Sequence, residues 1–212
     1  MQRKNAQRTS TAMNALRMAL LGIALSAAPV VAQDTATNQT EAETAAPETD
    51  APADPNAPGT SYRLNTHSDW EIRCIRANEG QVDPCQLYQL LTDDQGGPVA
   101  EFTVYLIPGQ EEVAAGATIA VPLQTLLSQP LAIKVDRSPA KTYPYRFCTQ
   151  VSCFARIGLT QQDVDSYRRG NGAIVSIVPL ALPDQRVNLG LSLSGFTAAF
   201  KEMVESQEQP AE

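Results

Sequence analysis

Four cysteines lie in two close pairs along the 212-residue chain, Cys74 with Cys85 and Cys148 with Cys153. Ten residues lie between the first two cysteines and four between the other two, and each pair joins two segments in which apolar and polar residues alternate. Four cysteines allow three disulfide connectivities. The local connectivity is favoured, because cysteines at the facing ends of two paired strands already lie within bonding reach. The sequence therefore predicts two hairpins, each closed by a disulfide.

Apolar and polar residues alternate with a period of two through much of residues 61–205. Phe102, Val104 and Leu106, for example, alternate with Glu101, Thr103 and Tyr105. Turn-forming glycines and prolines separate such segments, at residues 96–98, 108–109, 138–139 and 183. Eight or nine short strands at this spacing predict one mainly all-β domain over 61–205, an antiparallel β-sandwich.

Two segments have a helical pattern instead. Thr160 and Asp163 are spaced as a capping box, and Gly170 marks the end of that helix. The second helix has its body at residues 196–203. Its apolar residues fall at i, i+3, i+4 and i+7: Phe196, Ala199, Phe200 and Met203. We expect this apolar face to pack on the sheet.

Residues 1–32 have the features of a secretory signal peptide. Basic residues precede a short apolar core at 18–25, and Val30-Val-Ala32 supplies small residues for cleavage before Gln33. Residues 26–28 offer a second cleavage site. The apolar core is much shorter than the roughly 20 residues that a transmembrane helix requires. The pattern predicts export, with no transmembrane segment in the mature chain, into an oxidising compartment where disulfides persist.

Acidic residues are concentrated outside the predicted domain. Residues 33–60 contain six acids, no base and no aromatic residue, which predicts a disordered acidic linker, and residues 206–212 are predicted to be a disordered tail. The formal net charge is −7, and removal of residues 1–32 would make it −11, yet residues 61–201 carry only −1. Because this balanced domain offers no basic face, a nucleic-acid partner is disfavoured.

Zinc binding and redox catalysis are the alternative uses of the cysteines. Structural zinc sites use cysteine or histidine pairs about two to four residues apart, whereas these cysteines are spaced differently and His67 is the only histidine. Thioredoxin-like enzymes place Cys-x-x-Cys at the start of a helix, whereas Cys148 and Cys153 lie between strand-like segments. Both uses are disfavoured, so no metal and no other cofactor is expected.

The candidates for a catalytic site are few. His67 lies between Thr66 and Ser68, just before the first predicted strand, and Asp69 follows. Neighbours in sequence cannot converge as nucleophile, base and orienting acid, so no catalytic residue is assigned. Tyr143 and Tyr145 flank a proline and could present aromatic rings to a partner, although packing against the nearby hairpin is favoured.

The order of these segments resembles the invasion-associated locus B family of alphaproteobacterial exported proteins, over roughly residues 68–203. The matching segments, in order, are Asp69-Trp70 with Cys74, Cys85-Gln86-Leu87, Val121-Pro-Leu123, Leu131–Asp136, Tyr145-Arg-Phe147-Cys148, Cys153-Phe-Ala-Arg156 and Ser192–Ala199. No single segment is very specific, but their order, with both cysteine pairs in place, is. The chain departs at Val151-Ser152, where such proteins tend to carry glycine.

The resemblance implies an envelope or secreted protein, in the periplasm or at the surface of a Gram-negative bacterium. In pathogenic members it implies a link to entry into host cells, and it implies no catalytic residues. We therefore expect a non-enzymatic, exported domain that binds a protein or another envelope component. The alternatives are a periplasmic enzyme, either a hydrolase or a thiol oxidoreductase, and a chaperone-like module that offers a sheet edge to clients.

Overall fold

The computed structural model describes residues 54–110 and 112–208. The predicted signal peptide, most of the predicted linker and residues 209–212 lie outside the described residues. The described chain forms eleven strands: β1 Ser61–His67, β2 Trp70–Ile75, β3 Cys85–Thr92, β4 Pro98–Tyr105, β5 Ala115–Val121, β6 Leu131–Val135, β7 Lys141–Tyr143, β8 Tyr145–Cys148, β9 Cys153–Leu159, β10 Gly172–Ile177 and β11 Val187–Ser192. Its two helices are α1 Gln161–Arg169 and α2 Phe196–Glu208.

All neighbouring strands are antiparallel, in the order β7-β6-β10-β11-β3-β4-β5-β9-β8, and β1 joins this sheet through β2 and β3. Only Pro144 separates β7 from β8, although these strands lie at opposite ends of the order. The sheet therefore curves until its ends meet and is nearly closed. The predicted antiparallel all-β architecture with two helices is confirmed, and the predicted sandwich takes a barrel-like form.

The core is built from the inward positions of the strands and one face of each helix. Trp70 of β2 packs edge-on against Phe102 of β4 and Phe196 of α2, and Tyr167 of α1 packs edge-on against both phenylalanines. Such aromatic pairs add about 0.5–1.5 kcal/mol each beyond their buried area. This aromatic cluster fixes both helices over the sheet.

The helix signals predicted from the sequence are present. The Thr160 hydroxyl accepts from the Asp163 amide, and the Asp163 carboxylate accepts from the Thr160 amide, which completes the capping box. The four predicted apolar residues of α2 are its buried residues. Gly195 precedes α2 with φ +85°, and a Cβ there would collide with the carbonyl oxygen of His67. Only glycine allows α2 to start so close to the β1–β2 turn.

Both predicted disulfides are present, and each joins directly paired residues. Cys74 opposes Cys85 in the β2–β3 ladder, and Cys148 opposes Cys153 in the β8–β9 ladder. The described part of the chain contains no free cysteine. The two local hairpins are confirmed.

The free edges of the sheet are short or irregular. β7 has three residues and β8 has four. β1, with seven residues, pairs only with β2, and its register shifts between Arg63 and Asn65, which marks a bulge. The alternation pattern did not predict β1, because most of its side chains are exposed on both faces.

Candidate interaction surface

Two loops lie side by side where β5 and β10 end. Residues 122–130 follow β5 and residues 178–183 follow β10; we call these segments the leucine loops. The Leu126 amide donates to the Val178 carbonyl, and the Leu180 amide donates to the Gln124 carbonyl. Thr125 and Pro179 form an isolated antiparallel bridge between these bonds. The hydrogen bonds fix the two loops against each other as one surface.

This surface is apolar and partly open to solvent. Four of its five leucines are exposed by 46 to 59 %, and they are Leu123, Leu127, Leu180 and Leu182. No charged residue occurs in either loop, and the first charges after the second loop are Asp184 and Arg186. Single exposed leucines are ordinary, but several on paired, uncharged loops form the kind of patch that marks a contact site.

The second disulfide hairpin borders the leucine loops. Val121, the last residue of β5, pairs with Cys153, so the Cys148–Cys153 turn lies beside the start of the first loop. Val151, at the tip of that turn, is 77 % exposed. The bond holds a short exposed turn in place next to the leucine side chains.

A polar groove lies on the outer face of the sheet, where β2 and β11 meet β3. It is an open depression of about 720 Å³. The Arg73 guanidinium covers the Tyr88 ring at 3.3 Å and bonds the Glu71 carboxylate, which also binds Arg63. Burial raises the pKa of Tyr88, and the nearby Glu101 carboxylate raises it further. Glu71 and Arg73 of this groove are thus bound to each other.

Gln89 fills the seam between β3 and β11. These strands share only the Gly190–Thr92 pair. The buried Gln89 amide donates to the Ser192 carbonyl and accepts from the Ser192 amide, so one side chain supplies both bonds of a missing ladder pair. The Trp70 indole also donates to the Ser192 carbonyl. The groove floor is therefore satisfied internally.

His67 is bound to Glu202 of α2 and not to its sequence neighbours Ser68 and Asp69. It ends β1 and contacts the Glu202 carboxylate of α2, which also accepts from the Asn65 amide. Burial acts to raise the pKa of Glu202, but hydrogen bonds from Asn65 and His67 and the charge of His67 together lower it. Asp69 instead accepts from the Ser192 hydroxyl. The structure thus directs His67 and Asp69 to different partners.

The two tyrosines around Pro144 pack on the core. Tyr143 and Tyr145 are both half-buried against it. Burial raises the pKa of Tyr145 to about 12. The packing interpretation of these residues is the one that the structure supports.

Sequence reasoning did not identify the leucine loops. Leucines in this density are typical of a core, and alternation alone cannot separate a buried strand from an exposed loop. Two signals were present: prolines at positions 122, 130, 179 and 183, and the lack of charge over both segments. Prolines at these positions end the strands and leave the leucines outside them.

Comparisons with known proteins are consistent with this fold. The family model for invasion associated locus B (IalB) protein matches residues 70–204. The crystal structure of invasion associated protein B from Bartonella henselae has a TM-score of 0.58 and 22% sequence identity, covering 68% of this chain and 98% of that chain. At that identity the likeness shows a common fold. Among curated proteins, none matches the sequence.

Proposed function

Because the chain belongs to the invasion associated locus B family, we propose that it is an exported binding protein. In this proposal it has no catalytic activity, and its leucine loops contact a protein or another component of the cell envelope. The observation that carries the proposal is the surface of four half-exposed leucines on two hydrogen-bonded, uncharged loops. A surface of this kind is costly to leave in water unless a partner covers it.

Export to the periplasm or the cell surface is supported by the disulfides and by the first 32 residues. Two disulfides with no free cysteine in the described residues suit an oxidising compartment. The signal-like segment would deliver the chain there. None of the helices in the described ranges has the length and apolar character to span a bilayer.

Binding rather than catalysis is supported by the state of the reactive side chains. The four cysteines are joined as disulfides, and the single histidine is bound to Glu202. A nucleophile needs a nearby base to be activated, and His67 is bound by α2 instead.

The chemistry of the surface defines the partner. Uncharged loops gain little from electrostatic attraction, so binding would come from burial of the leucines at about 25 cal/mol per Å² of apolar area. The partner would present an apolar groove or helix face, and the affinity would change little between low and high salt.

Site-specific cross-linking tests the proposal. A photoreactive phenylalanine analogue in place of Leu180 is expected to cross-link the exported protein to a discrete envelope component in living cells. The matched control carries the analogue at Leu64 of β1, which is 42 % exposed on another element. This control is expected to give no such product.

A second variant links the cross-link to leucine burial. The double substitution Leu180→Glu and Leu182→Glu introduces two charges on exposed positions, so it should leave the fold intact and abolish capture through an analogue at Leu123. Equal cross-linking from Leu64 and Leu180, or capture that survives both glutamates, would show that the leucine loops are not the contact surface.

A further inference from the structure

A cavity separate from the leucine loops lies between α1 and the β6–β7 hairpin. Its volume is about 270 Å³. An engineered apolar cavity of about 150 Å³ is large enough to bind benzene, so this one has room for a substituted single ring. The turn between β6 and β7, residues 136–140, forms part of its rim.

The walls of the cavity are mostly apolar. Ile133 and Val135 of β6, Pro139 of the turn, and Tyr143 and Tyr167 are among the residues that line it. Concave sites that bind small molecules typically combine such walls with a few polar groups.

Tyr167 supplies a polar group at the inner end. The residue is 3 % exposed and lines the cavity, and its hydroxyl has no hydrogen-bond partner among the described residues, yet it is not one of their sealed, unpartnered polar atoms, which are Arg76 Nε and Tyr145 Oη. Burial raises the pKa of Tyr167, and the nearby Tyr143 and Asp163 raise it further. Those two residues also line the cavity, which places the Tyr167 hydroxyl beside the empty space. A tyrosine hydroxyl can donate and accept a hydrogen bond, so a ligand in the cavity could bond to it.

The charges at the cavity rim are already paired. The Lys141 ammonium binds the Asp163 carboxylate, which also accepts from the amide and hydroxyl of Thr160. Burial acts to raise the pKa of Asp163, but the bonds from Lys141 and Thr160 outweigh it, and the pKa is lowered. A charged ligand would find no free counter-charge among these groups, and burial of an unpaired charge is strongly unfavourable.

We propose that this cavity binds a small, uncharged molecule with one apolar ring and one hydroxyl or carbonyl group, which forms a hydrogen bond with the Tyr167 hydroxyl. The inference does not depend on the leucine loops, because none of their residues lines the cavity.

Titration with p-cresol, followed by two-dimensional NMR of the amides in the oxidised mature protein, tests this proposal. Saturable shifts are expected at the amides of Lys141, Gln162 and Ser166. Its charged analogue p-toluate should bind at least tenfold more weakly. Tyr167→Phe removes only the hydroxyl, so affinity for p-cresol should fall about three- to tenfold, the value of one hydrogen bond.

Two further variants keep the test independent of that substitution. Ser166→Leu fills the cavity from α1 and should abolish the shifts. Tyr105→Phe is the matched control, because Tyr105 lies on β4 and does not line the cavity, so its affinity should equal that of the natural protein.

Three outcomes would overturn the proposal: no shift at the cavity amides up to about 20 mM p-cresol, equal binding of p-toluate, or unchanged binding in Ser166→Leu. Shifts confined to residues 122–130 and 178–183 would also overturn it, because they would place the apolar molecule on the leucine loops.

Discussion

The two disulfide hairpins use the same covalent bond in opposite surroundings. Cys74 and Cys85 are both buried, and the strands that carry them contribute fully buried side chains such as Trp70 and Leu87 to the core. In the second pair Cys148 is exposed, as is most of β8, whereas Cys153 is buried. The first bond ties the centre of the fold, whereas the second holds an exposed turn beside the leucine loops. The contribution of each disulfide to the stability of this protein therefore depends on how far the bond is buried.

The first hairpin is also where α2 is anchored. The Gln207 amide donates to the Cys85 carbonyl, Glu202 binds β1, and Phe196 packs on Trp70. The second hairpin is held by stacking of Phe147 on Phe154 and by Arg156 over Phe147. Four variants test this contrast.

The largest effect is expected from removal of the buried disulfide. Cys74→Ala with Cys85→Ala should lower the free energy of unfolding by about 4 kcal/mol, since it loses both loop constraint and core packing. Denaturant unfolding of the purified protein measures this. A loss below that of the second hairpin would contradict the contrast drawn between them.

The next effect is expected at the junction of the first hairpin with α2. Gly195→Ala should cost about 3 kcal/mol, because its φ is positive and a Cβ would meet the carbonyl of His67. The control is Gly190→Ala, which has no atom within 4 Å of the added Cβ and should stay within about 0.5 kcal/mol. Similar melting temperatures for the two variants would refute this account.

Removal of the half-exposed Cys148–Cys153 disulfide should lower the free energy of unfolding by less. The natural Cys148–Cys153 bond closes a shorter loop, and only one of its two cysteines is buried, so Cys148→Ala with Cys153→Ala should cost about 2 kcal/mol. Mild reduction followed by alkylation and mass spectrometry should label Cys148 and Cys153 before Cys74 and Cys85, because thiol attack needs access. Labelling in the reverse order would be inconsistent with the burial described.

The smallest effect is expected at the contact between β1 and α2. Glu202→Gln should cost less than about 1 kcal/mol, as for other partly exposed ion pairs. Since the pKa of Glu202 is lowered in the folded state, its contribution is complete above the ordinary pKa and is lost as the pH falls through the lowered value. Unfolding is measured between pH 3 and 6 for the natural protein, for Glu202→Gln and for the control Glu205→Gln on the same helix. Only Glu202→Gln is expected to lose this pH dependence.

The sequence predicts most of the local structure. The capping box at Thr160 and Asp163, the apolar face of α2 and the pairing of neighbouring cysteines all depend on residues close in the chain. The helix continues to Glu208, so residues 206–208 of the predicted tail are helical. Residues 54–60 of the predicted linker form hydrogen-bonded turns against Arg76.

The surface and the cavity could not be predicted in the same way. Exposure of Leu180 depends on which loops meet after the sheet closes, and the cavity depends on how α1 packs across the β6–β7 hairpin. These are contacts between segments far apart in sequence, for which period-two alternation carries no information. Local patterns define the elements, and long-range packing defines the site.

The bulge in β1 disfavours edge-to-edge strand pairing between copies of this protein at high concentration. Fibril growth requires a straight, regular strand edge on which another chain can add. The shift between Arg63 and Asn65 interrupts the seven-residue edge of β1, the charge of Arg63 sits beside the interruption, and the end strands β7 and β8 have only three and four residues. The folded domain is therefore a poor template for its own polymerisation.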